Sequence, residues 1–384
     1  MQMIQALRTG MSLRQTAQRF GVSKTTVSYW VERSRGKRLD RLDLSNSKPG
    51  RAWNRTTPAI EQCILNLRHT LRHTSVLGEY GAQAIRDALA TSESPPSLAT
   101  INRVLHRHGL LDQGRRQRRA APPKGWYLPT VAAAQAELDS FDLIEELKIA
   151  AGPLVWILTA TSVHGALPGA WIMDKPSAKG TLACLLERWA NAGLPAYAQF
   201  DNGTVFQGAH HYPDTVGRVS RLCLALGVVP VFAPPQEPGF QNAIEGFNAL
   251  WQAKVWQRHH CIDIAQLKAV SDRYIAARCA RNLSRMETAP QRRLLPADFE
   301  LDLRAKLSGM MIFLRRTDEA GRARLLGRTF AVSEHWINRL VRCEVDFTHK
   351  QIRFYALRRR DPDQHPLLAE VSYQFPNKPF KDRP

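Results

Sequence analysis

Apolar positions along the chain change period several times, and each change marks a different kind of element. Leu13, Ala17 and Phe20 fall at helical spacing, Gly21-Val22-Ser23 interrupts, and Val27, Trp30 and Val31 resume the stripe. Ser23 is placed to cap the second helix, and Gly21 can take the left-handed conformation that a sharp turn between helices needs. This predicts a helix-turn-helix over residues 1–35. The face of its second helix offers Ser23, Lys24, Thr25, Thr26, Ser28 and Tyr29, short polar or aromatic groups of the kind that reach base edges and phosphates. Residues 36–57 are polar, basic and turn-rich and read as a linker.

A second helical module is expected over 58–113. Ile60, Ile64 and Leu67 share a face, Gly81 opens a helix through Ile85 and Leu89, and Ser97 caps a helix with apolar Leu98, Ile101, Val104 and Leu105. Thr100, Asn102, Arg103 and His106 would be its exposed, base-reading side. The stretch 114–130 opens with a charge run, Arg115, Arg116, Arg118 and Arg119, ended by Pro122-Pro123, and reads as a linker lying along phosphates. From about 131 to 300 the pattern becomes strands and helices. Leu138–Ile144, residues 154–165 and residues 165–173 read as a strand meander, followed by helix 178–190, strand 196–200, helix 216–226, strand 228–232 and a long helix 243–258. That order implies a mixed sheet covered by helices. Short β segments then fill 301–365, for which a small all-β barrel, or a sandwich, is expected, and the Pro- and Lys-rich residues 366–384 read as a loose tail. The fold class is therefore multidomain: all-α helix-turn-helix modules, an α/β mixed-sheet core and a small β-barrel.

Charge sharpens this picture. The 384 residues carry a formal net charge of +20, which points to a polyanionic partner. Residues 1–125 hold 22 basic and 8 acidic side chains, residues 126–300 hold 15 and 16, and residues 301–384 hold 17 and 10. A near-neutral middle lies between two basic flanks. No run of about 18 apolar residues and no signal peptide is present, so the chain is expected in the cytoplasm, away from membranes. The six cysteines are scattered without a paired spacing, and neither His210-His211 nor His259-His260-Cys261 fits a zinc pattern.

The middle region has few charges, yet acids stand where its elements end. Asp201 follows the strand Ala196–Phe200 directly, and Asn202-Gly203 turns the chain after it, which sets its carboxylate at the sheet's carboxyl edge. Asp142 lies in the apolar strand context Phe-Asp-Leu-Ile, where an isolated carboxylate is costly unless it is paired, protonated or metal-bound. Glu245 begins a helix whose polar stripe continues at Asn248 and Gln252. Three acids from two strands and one helix could hold two Mg²⁺ ions, with Mn²⁺ a natural substitute, for an in-line phosphoryl transfer. Lys254 and Arg258, one turn apart, would contact phosphate beside Glu245.

Three blocks, GLPAYAQFDNGTVF, LALGVVPVFAPP and PGFQNAIEGFNALWQAKVW, carry a resemblance to the retroviral-integrase-like DDE transposases of bacterial insertion sequences. The matching residues are Asp201-Asn202-Gly203 with Phe206, Leu226-Gly227-Val228, Pro234-Pro235, and Glu245 with Asn248. The resemblance covers roughly residues 131–260. It implies an RNase-H-like integrase core in which Asp142, Asp201 and Glu245 are catalytic and bind Mg²⁺. Asp139 is an alternative first acid, because the segment Glu-Leu-Asp-Ser-Phe-Asp offers both; spacing to the strand that ends in Ser162-Val163-His164-Gly165 favours Asp142. Glu237 meets the usual interval between second and third acids, but it lies between prolines, and Glu245 has the matching helix start. Thr161, where the family often carries a further acid, is a departure, and a helix-turn-helix stands in place of a zinc module. The implied activity is that of a transposase that binds element ends, cuts a phosphodiester and joins the 3′-hydroxyl to target double-stranded DNA, assembling as a homo-oligomer on DNA near the nucleoid. A DNA-binding regulator with a degenerate core is the competing reading.

Overall fold

The computed structural model describes residues 2–36, 38, 56–90, 94–111, 122–150, 152–209, 212–237, 239–376 and 380. The chain divides into two compact units, residues 1–66 with 93–110, and residues 67–92 with 111–384.

The first unit is helical. Helices α1 (Gln2–Arg8), α2 (Leu13–Phe20) and α3 (Lys24–Ser34) bury Ile4, Thr16 and Val27. Ser12 and Gln15 form a reciprocal capping box at α2, Gly21 closes it at φ 61°, and Ser23 accepts the Thr26 amide at the start of α3. Helix α4 (Pro58–Thr74) follows. Helix α5 (Ala82–Ala88) belongs to the second unit, and α6 (Leu98–Arg107), capped by Ser97, buries Ile101, Val104 and Leu105 in the first. In this unit Arg107 pairs with Glu61.

The second unit is built on one nine-stranded sheet. After α7 (Pro129–Ala132), strands β1 (Leu138–Lys148), β2 (Leu154–Ser162) and β3 (Pro168–Met173) form the expected antiparallel meander. Helix α8 (Ala178–Ala192) leads to β4 (Tyr197–Phe200), which lies parallel to β1. Helices α9 (Thr204–Gln207) and α10 (Arg218–Ala225) lead to β5 (Val229–Phe232), parallel to β4. Helix α11 (Asn242–Trp251) passes into a π-turn at Gln252–Trp256 and then α12 (Ile264–Glu287), so the long helix expected over 243–258 carries a π-turn in its last stretch.

The C-terminal region departs from expectation. Among the described residues its strands form no separate barrel. Strand β6 (Met310–Arg316) pairs parallel to β5, and β9 (Leu340–Asp346), β10 (Gln351–Ala356) and β11 (Leu367–Ser372) extend the same sheet, in the order β11-β10-β9-β6-β5-β4-β1-β2-β3. The reason lies in β6 itself. Its residues Met311–Arg315 are buried on both faces, as a central strand's are, whereas a small barrel's outer face is wet. Phe313 stacks on Phe232 at 5.1 Å, continuing an aromatic row through Phe200 to Phe141. Strand β11 lies in what reads as a tail, because its pairing with β10 packs Leu368, Ala369 and Val371 on the core. Between β6 and β9 lies a separate hairpin, β7 (Arg322–Leu325) and β8 (Arg328–Ala331), turned by Leu326 at φ 50° and Gly327 at φ 67°.

Candidate active site

Strand pleat decides which acids of β1 meet the rest of the site. Asp139 and Phe141 point to the α8 face, and Asp142 and Ile144 point to the α11 face. Asp139 is fully buried in a double fork. Arg188 of α8 donates to it at 2.9 and 3.2 Å, and Arg292 at 2.6 and 3.2 Å. Burial pushes its carboxyl up, but the two guanidiniums outweigh that and hold it below the usual carboxylate range. An acid so occupied has no lone pairs to spare for a metal ion.

Asp142 has the opposite surroundings. Its Oδ2 accepts from Asn248 Nδ2 of α11 at 2.8 Å, and its Oδ1 accepts from the Leu143 amide at 2.9 Å. Thr159, which pairs with Asp142 across β1 and β2, donates to Asn248 Oδ1 at 2.6 Å and thereby fixes which way that amide faces. Burial, then repulsion from Asp201 and more weakly from Glu245 and Glu145, push the Asp142 carboxyl up to about 6 against the opposing Leu143 hydrogen bond. Three acids remote in sequence therefore share one electrostatic neighbourhood. Asp201 is also pushed up by burial, although its Oδ1 accepts the Gly203 amide at 2.8 Å. A Cβ on Gly203 would stand 2.9 Å from Asp201 Oδ1, so a side chain there would press on the carboxylate that the Gly203 amide holds. Asn202 is held on both sides: its Nδ2 donates to the Ala233 carbonyl at 2.7 Å, and its Oδ1 accepts from Arg315 Nη2 at 2.9 Å. Glu245 stands exposed in the first turn of α11. An open cleft of about 500 Å³ runs from Asp201 along Ala233, Pro234 and Pro235 to Gln241.

This donor set is all oxygen and suits a hard cation, which would relieve the repulsion on Asp142. Among the described residues no three His, Cys, Asp or Glu side chains are gathered as a ready metal centre; Asp201 acts on Asp142 more strongly than Glu245, which is exposed. The state of Asp142 has a measurable consequence. A carboxyl raised in the fold binds its proton more tightly there than in the unfolded chain. The metal-free protein therefore loses stability as pH rises from about 4 through 6. Asp142→Asn is expected to raise the midpoint of thermal unfolding at pH 7.5 in EDTA, by a stability gain on the order of 1–3 kcal/mol that disappears below pH 4. A midpoint unchanged or lowered at pH 7.5 would show that burial and its acidic neighbours do not push the Asp142 carboxyl up.

The remaining candidates are dispersed. Glu237 pairs with Arg316. Lys254 Nζ donates to the Gly78 carbonyl at 3.1 Å, and Arg258 donates to the carbonyls of Ser75 at 2.7 Å and His73 at 3.1 Å, so both tie the π-turn region to the loop before α5. On α3, Lys24, Thr25, Thr26 and Tyr29 are exposed and Ser28 is half-buried; the Tyr29 hydroxyl accepts from Arg33 at 2.8 Å. Asn102 and Arg103 are exposed on α6, and Thr100 is half-buried. Arg115, Arg116, Arg118 and Arg119 lie outside the described residues. Sequence reasoning assigned no role to Thr159 or Arg315. Thr159 was traceable from antiparallel register with Asp142; Arg315 gave no signal, because only the pairing of β6 with β5 brings it to Asn202.

Among the described residues no helix is long and apolar enough to cross a membrane. Residues 1–43 match a homeodomain-like family model, a helix-turn-helix class. Comparison with curated proteins gives no match. Among solved structures, the HTLV-2 integrase catalytic core domain in complex with magnesium is similar over 36% of this chain and 81% of that one, at 11% identity and a TM-score of 0.28. The simian T-cell lymphotropic virus intasome in complex with a PP2A regulatory subunit covers 70% of this chain and 87% of its own, at 12% identity and 0.33. The catalytic core of BIV integrase covers 35% and 80%, at 19% identity and 0.27. The chain thus joins a homeodomain-like N-terminal helical module to a mixed α/β sheet core, and its likeness to integrase cores is one of faint overall geometry.

Proposed function

We propose that the chain is a DNA transposase of the bacterial insertion-sequence kind, in which Asp142, Asp201 and Glu245 carry metal-dependent phosphodiester cleavage and strand transfer. The observation that carries this reading is that the half-buried Asp142 carboxyl, held by Asn248, lies near enough to Asp201 and Glu245 of two other elements to feel their charge. A surface acid in solvent would feel no such neighbours.

In this reading Asp142, Asp201 and Glu245 would hold Mg²⁺, with Mn²⁺ able to substitute. Metal held there would supply Lewis-acid activation of the attacking oxygen and stabilisation of the leaving one. The protein's own groups fix the ligands. Asn248, oriented by Thr159, sets one face of Asp142, and the Gly203 amide with the Asn202 clamp sets Asp201. Water attacks phosphorus at the element end and the bond to the 3′-oxygen breaks, leaving a 3′-hydroxyl. That hydroxyl then attacks a target phosphodiester and displaces another 3′-oxygen. The test is whether the purified chain nicks and joins end-bearing double-stranded DNA with Mg²⁺; a protein that binds ends but converts none of them is the regulator with a degenerate core.

Element ends would be read by α3, through Lys24, Thr25, Thr26, Ser28 and Tyr29 beside the Ser23 cap, and by α6 through Thr100, Asn102 and Arg103. The segment 114–130 with Arg115, Arg116, Arg118 and Arg119 would follow the backbone, and pairing two ends would bring two or more copies together. Lys24→Ala is expected to weaken end binding several-fold and to lower the slope of log affinity against log salt by about one. Filter binding across a salt series measures it, and an unchanged slope would remove Lys24 from the interface.

A further inference from the structure

Beside the acidic cleft lies a hollow of opposite character. It measures about 390 Å³ and is lined by Arg315 and Arg316 at the end of β6, Arg324 of β7, the Leu325–Gly327 turn, Gln207, Asn202 and Pro235. Asn202 and Pro235 also line the cleft of Asp201, so the two spaces adjoin. No carboxylate lines the hollow.

Its arginines are arranged unequally. Arg315 is only 9% exposed, yet no carboxylate among the described residues pairs with it. Its Nε donates to the Arg324 carbonyl at 3.1 Å, Nη1 to the Leu314 carbonyl at 2.8 Å and Nη2 to Asn202 Oδ1 at 2.9 Å, with the guanidinium 5.0 Å over the Phe313 ring. Burial pulls its pKa down to about 10, so at neutral pH it remains charged among neutral dipoles. A buried cation without a counter-charge is costly, and an anion entering the hollow would supply one. Arg324 is exposed, and its guanidinium has no hydrogen-bond or ion-pair partner among the described residues. Arg316 is tied to Glu237, an acid on the cleft side of the rim.

We propose that this hollow is a phosphate-binding subsite that grips the DNA backbone next to the phosphodiester engaged at Asp201, with Arg324 and Arg316 closing on the non-bridging oxygens and Arg315 linking that grip to Asn202. The proposal rests on the reading of Asp201 as catalytic only for the register of the strand. Planar guanidiniums suit phosphate oxygens, and the alternation of carboxylates with arginines lets one strand meet metal at one phosphate and arginine at its neighbour.

The test uses the full chain and a labelled duplex of random sequence, in EDTA so that no chemistry intervenes. Arg324→Gln is expected to weaken binding about five- to tenfold and lower the salt slope by about one, Arg324→Glu to weaken it further, and Arg324→Lys to keep the salt slope because the charge remains while losing part of the affinity with the planar fork. Thermal unfolding of all three should match wild type, since Arg324 lies at the surface. Wild-type affinity and slope for both Arg324→Gln and Arg324→Glu would overturn the subsite. Asp201→Asn, assayed separately for strand transfer with end-bearing DNA and Mg²⁺, separates the two ideas. If it keeps strand-transfer activity while Arg324→Gln binds poorly, the catalytic reading falls and the subsite stands; if it is inactive while Arg324→Gln binds normally, the subsite alone falls.

Discussion

Asp201→Asn and Glu245→Gln are expected to reduce DNA cleavage and joining by on the order of 10³-fold or more, about 4 kcal/mol of transition-state stabilisation, while leaving the fold intact. Both changes keep the side chain's shape and remove one negative oxygen donor. For Asp201 the accompanying physics runs in the opposite direction. Its charge is the largest single repulsion acting on Asp142, so its removal should bring the Asp142 carboxyl back toward the ordinary carboxylate range and raise metal-free stability at neutral pH. Lost activity with equal or greater stability is the signature of an acid kept for chemistry. A variant that is inactive because it is misfolded would show both falling together. The measurement is a gel assay of cleaved and joined product with Mg²⁺ and with Mn²⁺, beside thermal unfolding in EDTA. Rates within tenfold of wild type for both variants would remove the proposed catalysis.

The meander, the two parallel strands and the acid-bearing turn were legible because their apolar runs are short, bounded and separated by helical spacing. Asp201-Asn202-Gly203 announced itself for the same reason: a turn directly after a buried strand fixes where a carboxylate must stand. What was not legible was lateral order in the sheet. Local pattern shows that Met311–Arg315 is a strand but not that its neighbour is β5, more than seventy residues earlier in the chain, and a small barrel satisfies the same alternation. The error had a sign, since consecutive apolar residues in β6 leave no wet face. With that pairing missed, Arg315 could not be connected with Asn202. Helix-turn-helix geometry, by contrast, depends on contacts within about ten residues, and Ser12, Gly21 and Ser23 all occupy the capping positions their chemistry favours.

The choice between Asp139 and Asp142 was open in the sequence because both lie in one strand three residues apart, and an odd interval puts them on opposite faces. The structure gives each a different energetic role, which stability measurements can separate. Asp139→Asn removes the only carboxylate between Arg188 and Arg292 among the described residues and leaves two guanidiniums facing each other in the core. Removing one partner of a buried ion pair costs about 3–5 kcal/mol, a large share of a typical stability of about 5–15 kcal/mol. The unfolding midpoint of Asp139→Asn should therefore fall steeply at neutral pH, whereas that of Asp142→Asn rises. Acid inverts neither sign but shrinks both effects. Because Asp139 is depressed in the fold, its contribution is fully present above the unfolded carboxylate range near 4 and is lost as pH falls toward the folded value. The deficit of Asp139→Asn should accordingly narrow between pH 5 and 2, the reverse of a cavity or packing defect, which is indifferent to pH. Denaturant unfolding of both variants across that range measures it. A neutral-pH deficit under 1 kcal/mol for Asp139→Asn would mean that the double fork does not hold β1 to α8, and would return Asp139 to the candidates for metal binding.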